Sequence, residues 1–396
     1  MNSDKLAAHL VAVHQAYAVR GVSAGECTHG VVQAELARLA GEASGVLGLE
    51  ELGASIEGRP IRAVRFGQGE RRVLVWSQMH GDEPTGTLAL LDMVCFLAGR
   101  RGEEAWVEEM LEHVSVVAIP MLNPDGAERR RRETAAQIDL NRDALAFATP
   151  EARILKAVHQ QFQPEFALHL HDQELSSVGQ SPSAAALALL APAMDAKDTL
   201  TASRLRAMSL GALLVSALEG FCEGRIATFD NTYEPRAFGD NIQTWGTSTL
   251  LVESGHWPGD PEKVSVRRLN FVALLVALRA IGDGTFQEAN LERYRGLQQN
   301  GKRMFDVVVR GVLLQHPAGW SHRADIGLLV EPASRAEGRG VGERRLIVQE
   351  VGDLSTHSGL EVIDAQGTAL PVSTVAIEAV LSREELRAAL AQGSPA

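Results

Sequence analysis

His80, Asp82 and Glu83 stand in the stretch VLVWSQMHGDEPTG, Val73 to Gly86, where an apolar β-branched run breaks at Gly81. His80 and Glu83 are three residues apart. That step puts two side chains on one side of a helical turn, within reach of one cation. An HxxE pair alone is common in solvated loops. Here a buried strand before it, a glycine that allows close approach and a helix after it add weight. A catalytic zinc takes three protein ligands and keeps one position open for water. The stretch FALHLHDQ offers the third ligand. His169 and His171 share a face of a regular strand, and a break at the strand's polar end favours His171; the other is then a hydrogen-bonded core histidine. Glu253 closes the apolar run TLLVE ahead of Ser254-Gly255. A carboxylate in that position is costly unless paired or put to use. Burial beside a metal moves its pKa toward that of a general base; the plainer reading is a strand-end glutamate.

The segment NPDGAERRRRETAAQIDLNRD, from Asn123, adds an anion-binding pattern. Adjacent Asn141 and Arg142 can grip a carboxylate, the arginine by a bidentate fork. Arg132 lies nine residues upstream of Asn141. The ordered set His80-Gly-Asp-Glu83, Asn123-Pro-Asp-Gly126, Arg132, Asp139-Leu-Asn141-Arg142, His171 and Glu253 resembles the zinc metallocarboxypeptidase family, the carboxypeptidase A-like enzymes, over roughly residues 50 to 280. The resemblance implies one zinc ion held by His80, Glu83 and His171. It implies that Arg132 polarises the scissile carbonyl, that Asn141 and Arg142 hold the substrate's free carboxylate, and that Glu253 activates the water. It also implies a mobile tyrosine over the substrate, for which Tyr233 is the candidate; a packed loop residue is the alternative. Asp240 in the same stretch either favours a basic or amine-bearing side chain or serves only a backbone turn. Asp172 either orients a ligand histidine or caps a loop.

Elements that could position these residues are legible. RPIRAVRFG alternates and reads as a half-exposed strand. RVLVWS, VSVVAIP, FALHLHDQ and TSTLLVESG read as buried strands. GVVQAELARLAGEA, PTGTLALLDMVCFLAG, EARILKAVHQQF and PEKVSVRRLNFVALLVALRAIG read as helices. Alternating strands and helices predict an α/β fold with a mixed, largely parallel sheet and helices on both faces. Ligands in such sheets bind at the carboxyl ends of strands, where His80, Asn123, His171 and Glu253 all fall. After about Phe305, MFDVVVRGVLLQH, ADIGLLVE, RRLIVQEV and PVSTVAIEAV read as short strands, and ASRAEGRGVGERR as a hairpin or loop between them. The expected division is therefore a catalytic domain over 1–305, with an N-terminal helical lead-in, and a small C-terminal β-rich domain over 306–396. The tail SREELRAALAQG carries a capping-box start, Ser382 to Glu385.

The bulk numbers exclude other classes. The 396 residues carry a net charge of −12, with 45% apolar and 22% charged content, so nucleic acid is not an expected partner. The three cysteines are far apart, which argues against a disulfide framework or a cysteine zinc site. No continuous apolar run reaches the ~18 residues of a membrane span, and the N-terminus is a poor signal peptide; a cytoplasmic location is expected. Composition does not fix the oligomeric state. The reading is a zinc-dependent hydrolase that cleaves an amide or peptide bond beside a free carboxylate, with a small peptide or an acylated amino acid as substrate. Carboxypeptidase action on short peptides leads. An N-acyl amino acid deacylase of the succinylglutamate desuccinylase and aspartoacylase type is the alternative, and a non-catalytic peptide-binding module is third.

Overall fold

The structure, a computed structural model, describes residues 2–43, 45–99, 104–222, 224–330 and 345–392. The chain forms two compact units: Met1–Gln173, Ala186–Gly255 and Glu262–Gln299 make the first, and Glu174–Ala185, His256–Pro261 and Asn300–Ala396 the second.

The first unit is built on an eight-stranded sheet of order β1-β2-β4-β3-β5-β9-β7-β8. Its strands are β1 (Leu47–Ala54), β2 (Pro60–Phe66), β3 (Arg71–Trp76), β4 (Val114–Ile119), β5 (Phe166–Asp172), β7 (Leu187–Leu190), β8 (Ile226–Thr228) and β9 (Ser248–Ser254). The central β4, β3, β5 and β9 are mutually parallel, so their carboxyl ends share one edge. Val73 to Trp76 are fully buried, as expected of a strand covered on both faces. The outer β1 is mostly solvated and carries Glu50 and Glu51, charges that discourage further pairing at an edge.

Side-chain alternation divides the sheet's two faces. Leu74, Trp76, Val117, Ile119 and Ala167 pack in one core with Leu155 and Val158 of α6 (Pro150–Phe162) and Phe238 and Ile242 of α8 (Phe238–Thr244). On the other face Leu168, Leu170 and Val252 meet Leu214 of α7 (Ala202–Cys222) and Ala273 of α9 (Val264–Asp283). There α3 (Thr85–Gly99) packs on α9, and α1 (Ser3–Tyr17) on both. Asp92 of α3 is fully buried and accepts bonds from His14 Nε2, Val19 N and Arg267. One saturated carboxylate thereby fastens the N-terminal helix to α3 and α9. The remaining helices are α2 (His29–Glu42), α4 (Glu104–His113), α5 (Pro124–Arg129) and α10 (Glu292–Arg295). By length and composition α7 is apolar enough to cross a membrane, with most of its length buried inside the fold. A search for one continuous apolar run misses it because Arg206 and Glu219 interrupt the apolar stretch.

The second unit contains a sheet of β14 (Ser358–Asp364), β11 (Met304–Gln315), β12 (Ser321–Val330), β13 (Leu346–Gly352) and β16 (Val380–Leu381), with β15 (Ala369–Pro371) beside β11. The short β6 (Ser177–Val178) and β10 (Asn300–Gly301) pair separately. Val307 and Val309 of β11 enter the core in one phase, Val312 and Leu314 in the other. A register shift between Val309 and Val312 reconciles them, with Gly311 at φ +67°, a bulge conformation glycine adopts without strain. PVSTVAIEAV is not one strand: a 3-10 turn over Val372–Val375 separates β15 from β16. Pro371, with no N–H for a ladder, ends β15. Of the expected loop ASRAEGRGVGERR, residues 333–344 lie outside the described residues. The tail helix α11 (Arg383–Gln392) has the expected box: Ser382 N donates to Glu385 Oε2 and Glu385 N to Ser382 Oγ.

Candidate metal centre

The turn after β3 presents the first two ligands, laced by backbone to the turn after β4. After β3, Ser77 O and Gln78 O accept from Leu122 N and Asn123 N of the turn that follows β4. Asn123 caps α5 through Gly126 N and donates its Nδ2 to Met79 O and Arg132 O. Thus the Asn-Pro-Asp-Gly segment is scaffold. Asp125 accepts from Ser55 Oγ, Glu57 N and Arg59. A Cβ on Gly81 would lie 2.0 Å from the carbonyl carbon of Gly126, so the two turns touch backbone to backbone.

The ligand atoms of His80 and Glu83, on the turn after β3, and of His171, near the end of β5, lie within 4.8 Å of one another, all buried. Glu83 is the hinge of the group. Its Oε1 is 2.7 Å from His80 Nδ1 and its Oε2 2.6 Å from His171 Nδ1. Asp172 N also donates to Oε2. On the far side of the His80 ring, Nε2 bonds Asp139 Oδ1 at 3.1 Å. Burial disfavours a charged His80, yet the Glu83 charge and the bond to Asp139 prevail and push it up to about 9. Burial likewise works against an ionised Glu83, but the two histidines hold it well below the usual carboxylate range. Burial dominates at His171 and lowers it. A fixed anion flanked by two converging imidazole Nδ1 atoms, one ring oriented by an outer carboxylate, is a donor set suited to zinc.

Glu253 is the register partner of His171 across the parallel pair β5–β9, so the two side chains leave the same face of the sheet. It is 6% exposed. Burial, then the Glu83 charge, raises it well above the ordinary carboxylate range. Two carboxylates of one site are thus driven in opposite directions, the pattern that separates a ligand from an acid or base. Arg132 NH1 lies 3.1 Å from His80 Nδ1 and 3.3 Å from Glu83 Oε1, and its Nε donates to Asp139 Oδ2.

Not every sequence candidate joins this cluster. His169 is buried and stacks on Trp76, with Nε2 2.9 Å from Met79 sulfur; it lies beside the His171 ring but outside the ligand group. Asn141 Oδ1 accepts from Phe238 N, the first residue of α8. Arg142 faces Glu234, Nε to Oε2 at 3.4 Å. Tyr233 is a half-buried loop residue between β8 and α8. Asp240, pushed up to about 6 chiefly by burial, accepts from Glu234 N. Asp172 reaches Thr85 and Lys263, with no bond to a ligand ring. The residue that motif reading passed over is Asp139. Its place in the Asp-Leu-Asn-Arg run drew notice to Asn141 and Arg142, while its own carboxylate joins His80 to Arg132. Burial opposes its charge, but His80 and Arg132 outweigh that and hold it well below the usual range.

These features define a class: a mixed α/β protein with a buried His-Glu-His cation site at the carboxyl ends of its parallel strands. The sequence profile of the zinc carboxypeptidase family matches residues 32–175 of this chain. Carboxypeptidase 2 of Trichophyton rubrum is 33% identical over 104 residues, 26% of this chain and 19% of that protein. Carboxypeptidase E of Caenorhabditis elegans is 31% identical over 132 residues, 28% of each chain. The chain thus spans well under a third of these relatives' lengths. Carboxypeptidase A from Helicoverpa armigera shares the fold at TM-score 0.52 and 17% identity, covering 70% of this chain and 80% of that one.

Proposed function

We propose that this protein is a zinc-dependent carboxypeptidase that removes the terminal residue of short peptides. The observation that carries the reading is the convergence of His80, Glu83 and His171 with Glu253 as the register partner of His171. In this reading the three ligands would hold the ion, which would supply Lewis acidity and a water acidic enough to react near neutral pH. Glu253 would take up a proton from the attacking water on a carboxylate oxygen and pass it to the departing amine nitrogen. Arg132 stabilises the negative charge that develops on the carbonyl oxygen. Asn141 and Arg142 hold the free carboxylate, Tyr233 closes over the bound peptide, and Asp240 favours a terminal side chain that carries an amine.

Elemental analysis of purified wild type and His171→Ala tests the metal. Retention of zinc by the wild type alone is expected, and equal zinc in both would remove the ligand assignment. A panel of short peptides and N-acyl amino acids tests the reaction, with Glu253→Gln as the inactive control. Peptide cleavage is expected. Release of acyl groups with no peptide cleavage would replace the reading with a deacylase.

A further inference from the structure

We propose that Glu234 is a built-in occupant of the carboxylate-binding arginine: its carboxylate rests against Arg142 and must give way when a substrate's terminal carboxylate arrives. The proposal rests on the reading of Arg142 as that anchor. Arg142 does not face solvent alone. Its Nε lies 3.4 Å from Glu234 Oε2. The same carboxylate is held more closely by Arg236, whose Nε donates to Oε1 at 2.9 Å and whose NH2 donates to Oε2 at 2.7 Å. This fork–fork pair is the stronger geometry. Glu234 is therefore anchored on one arginine and only leans on the other. The Arg236 side chain, acting against slight burial, holds Glu234 down to about 2, so the occupant is charged throughout the working range.

The backbone around this triad is fixed. Ala144 N donates to Arg236 O, Phe238 N to Asn141 Oδ1, and Glu234 N to Asp240 Oδ1. The first two bonds tie the Glu234–Phe238 segment to the turn that carries Asn141 and Arg142, and the third ties Glu234 to α8. Exchange of one carboxylate for another then needs only side-chain rotation, with Arg236 retaining Glu234 as Arg142 turns to the ligand. The side chains of Arg142, Glu234 and Arg236 are 38%, 27% and 56% exposed. An ion pair so exposed is weak, which makes the occupant displaceable.

The opposed roles of Glu234 and Arg236 give a test with signs. The probe is 4-methylpentanoate, a carboxylate with no amide to cleave, titrated calorimetrically into zinc-loaded protein. Removing the competitor in Glu234→Gln should tighten binding about two- to five-fold, the scale of one exposed ion pair. Removing the holder in Arg236→Ala should throw Glu234 wholly onto Arg142 and weaken binding by a similar factor. The double variant should return to the Glu234→Gln value. Unchanged or weaker binding in Glu234→Gln overturns the proposal, as does a double variant as weak as Arg236→Ala, since a merely structural triad would lose affinity in all three. Arg142→Met separates the layers. If it abolishes binding while Glu234→Gln fails to tighten it, the anchor stands and the occupant falls; if it leaves binding intact, both fall.

Discussion

At His80 one imidazole is bonded on both sides, to Glu83 through Nδ1 and to Asp139 through Nε2. Only Nδ1 converges with the other ligand atoms, so Asp139 fixes which nitrogen is offered to the ion. Asp139→Asn keeps the size of the side chain and loses the charge. Its zinc affinity, measured by competition with a chelator, is expected to fall about 10- to 100-fold, the range for loss of such a partner; unchanged affinity would show that the ring is oriented by packing alone. Arg132 calls for a different signature. Its guanidinium borders the ligand group without belonging to it. Arg132→Ala should retain zinc and substrate affinity while kcat falls about 10²- to 10³-fold, as for removal of one oxyanion donor. Steady-state kinetics beside metal analysis checks this, and a change confined to KM would assign Arg132 to ground-state binding instead.

Above the single residue, the site is made by turns at strand ends, and their closeness depends on Gly81. Alanine there would bring its Cβ to 2.0 Å from backbone of Gly126, and neither partner is a flexible side chain. The turns after β3 and β4 would have to separate, carrying His80 and Glu83 away from His171. Gly81→Ala is expected to lose at least about 1–3 kcal/mol of stability, the cost of overpacking, and most of its zinc. Urea unfolding with elemental analysis reads both, and a variant with full metal content would refute the contact's importance. The sequence marks this position well because Gly81 interrupts a buried run. It marks other elements poorly. β7 lies in the apolar stretch AAALALLAPA, which has no period to distinguish strand from helix. β8 is only three residues long, too short for alternation to register. β14 has no buried residue, so burial does not announce it. Asp139 escaped because its partners, His80 and Arg132, are brought to it only by the fold.

For the molecule as a whole, the ordered motifs locate the eight-stranded sheet, but they do not reveal that residues 174–185 and 256–261 go with the second unit. The first is inserted between β5 and β7 and the second between β9 and α9, and nothing in their composition sets them apart. Each unit has its own apolar core, so stability must be followed unit by unit. In the first, His159 supplies a pH dependence with a definite sign. Its Nε2 lies 2.9 Å from Thr247 Oγ1, and that hydroxyl donates to Pro164 O; the ring therefore donates through Nε2. Burial, then the Lys156 charge, lowers His159 to about 4 from an ordinary value of 6.5. Between these values the unfolded chain binds the extra proton and the folded unit does not. The stabilisation is thus complete above pH 6.5 and is lost as pH falls toward 4. Partial solvent access screens the effect to roughly 1–2 kcal/mol. Denaturant unfolding of wild type and His159→Gln at several pH values should show the wild type losing that much more stability between pH 7 and pH 4. Parallel curves would mean that His159 is protonated in place without cost, and that burial beside Lys156 does not hold the ring neutral.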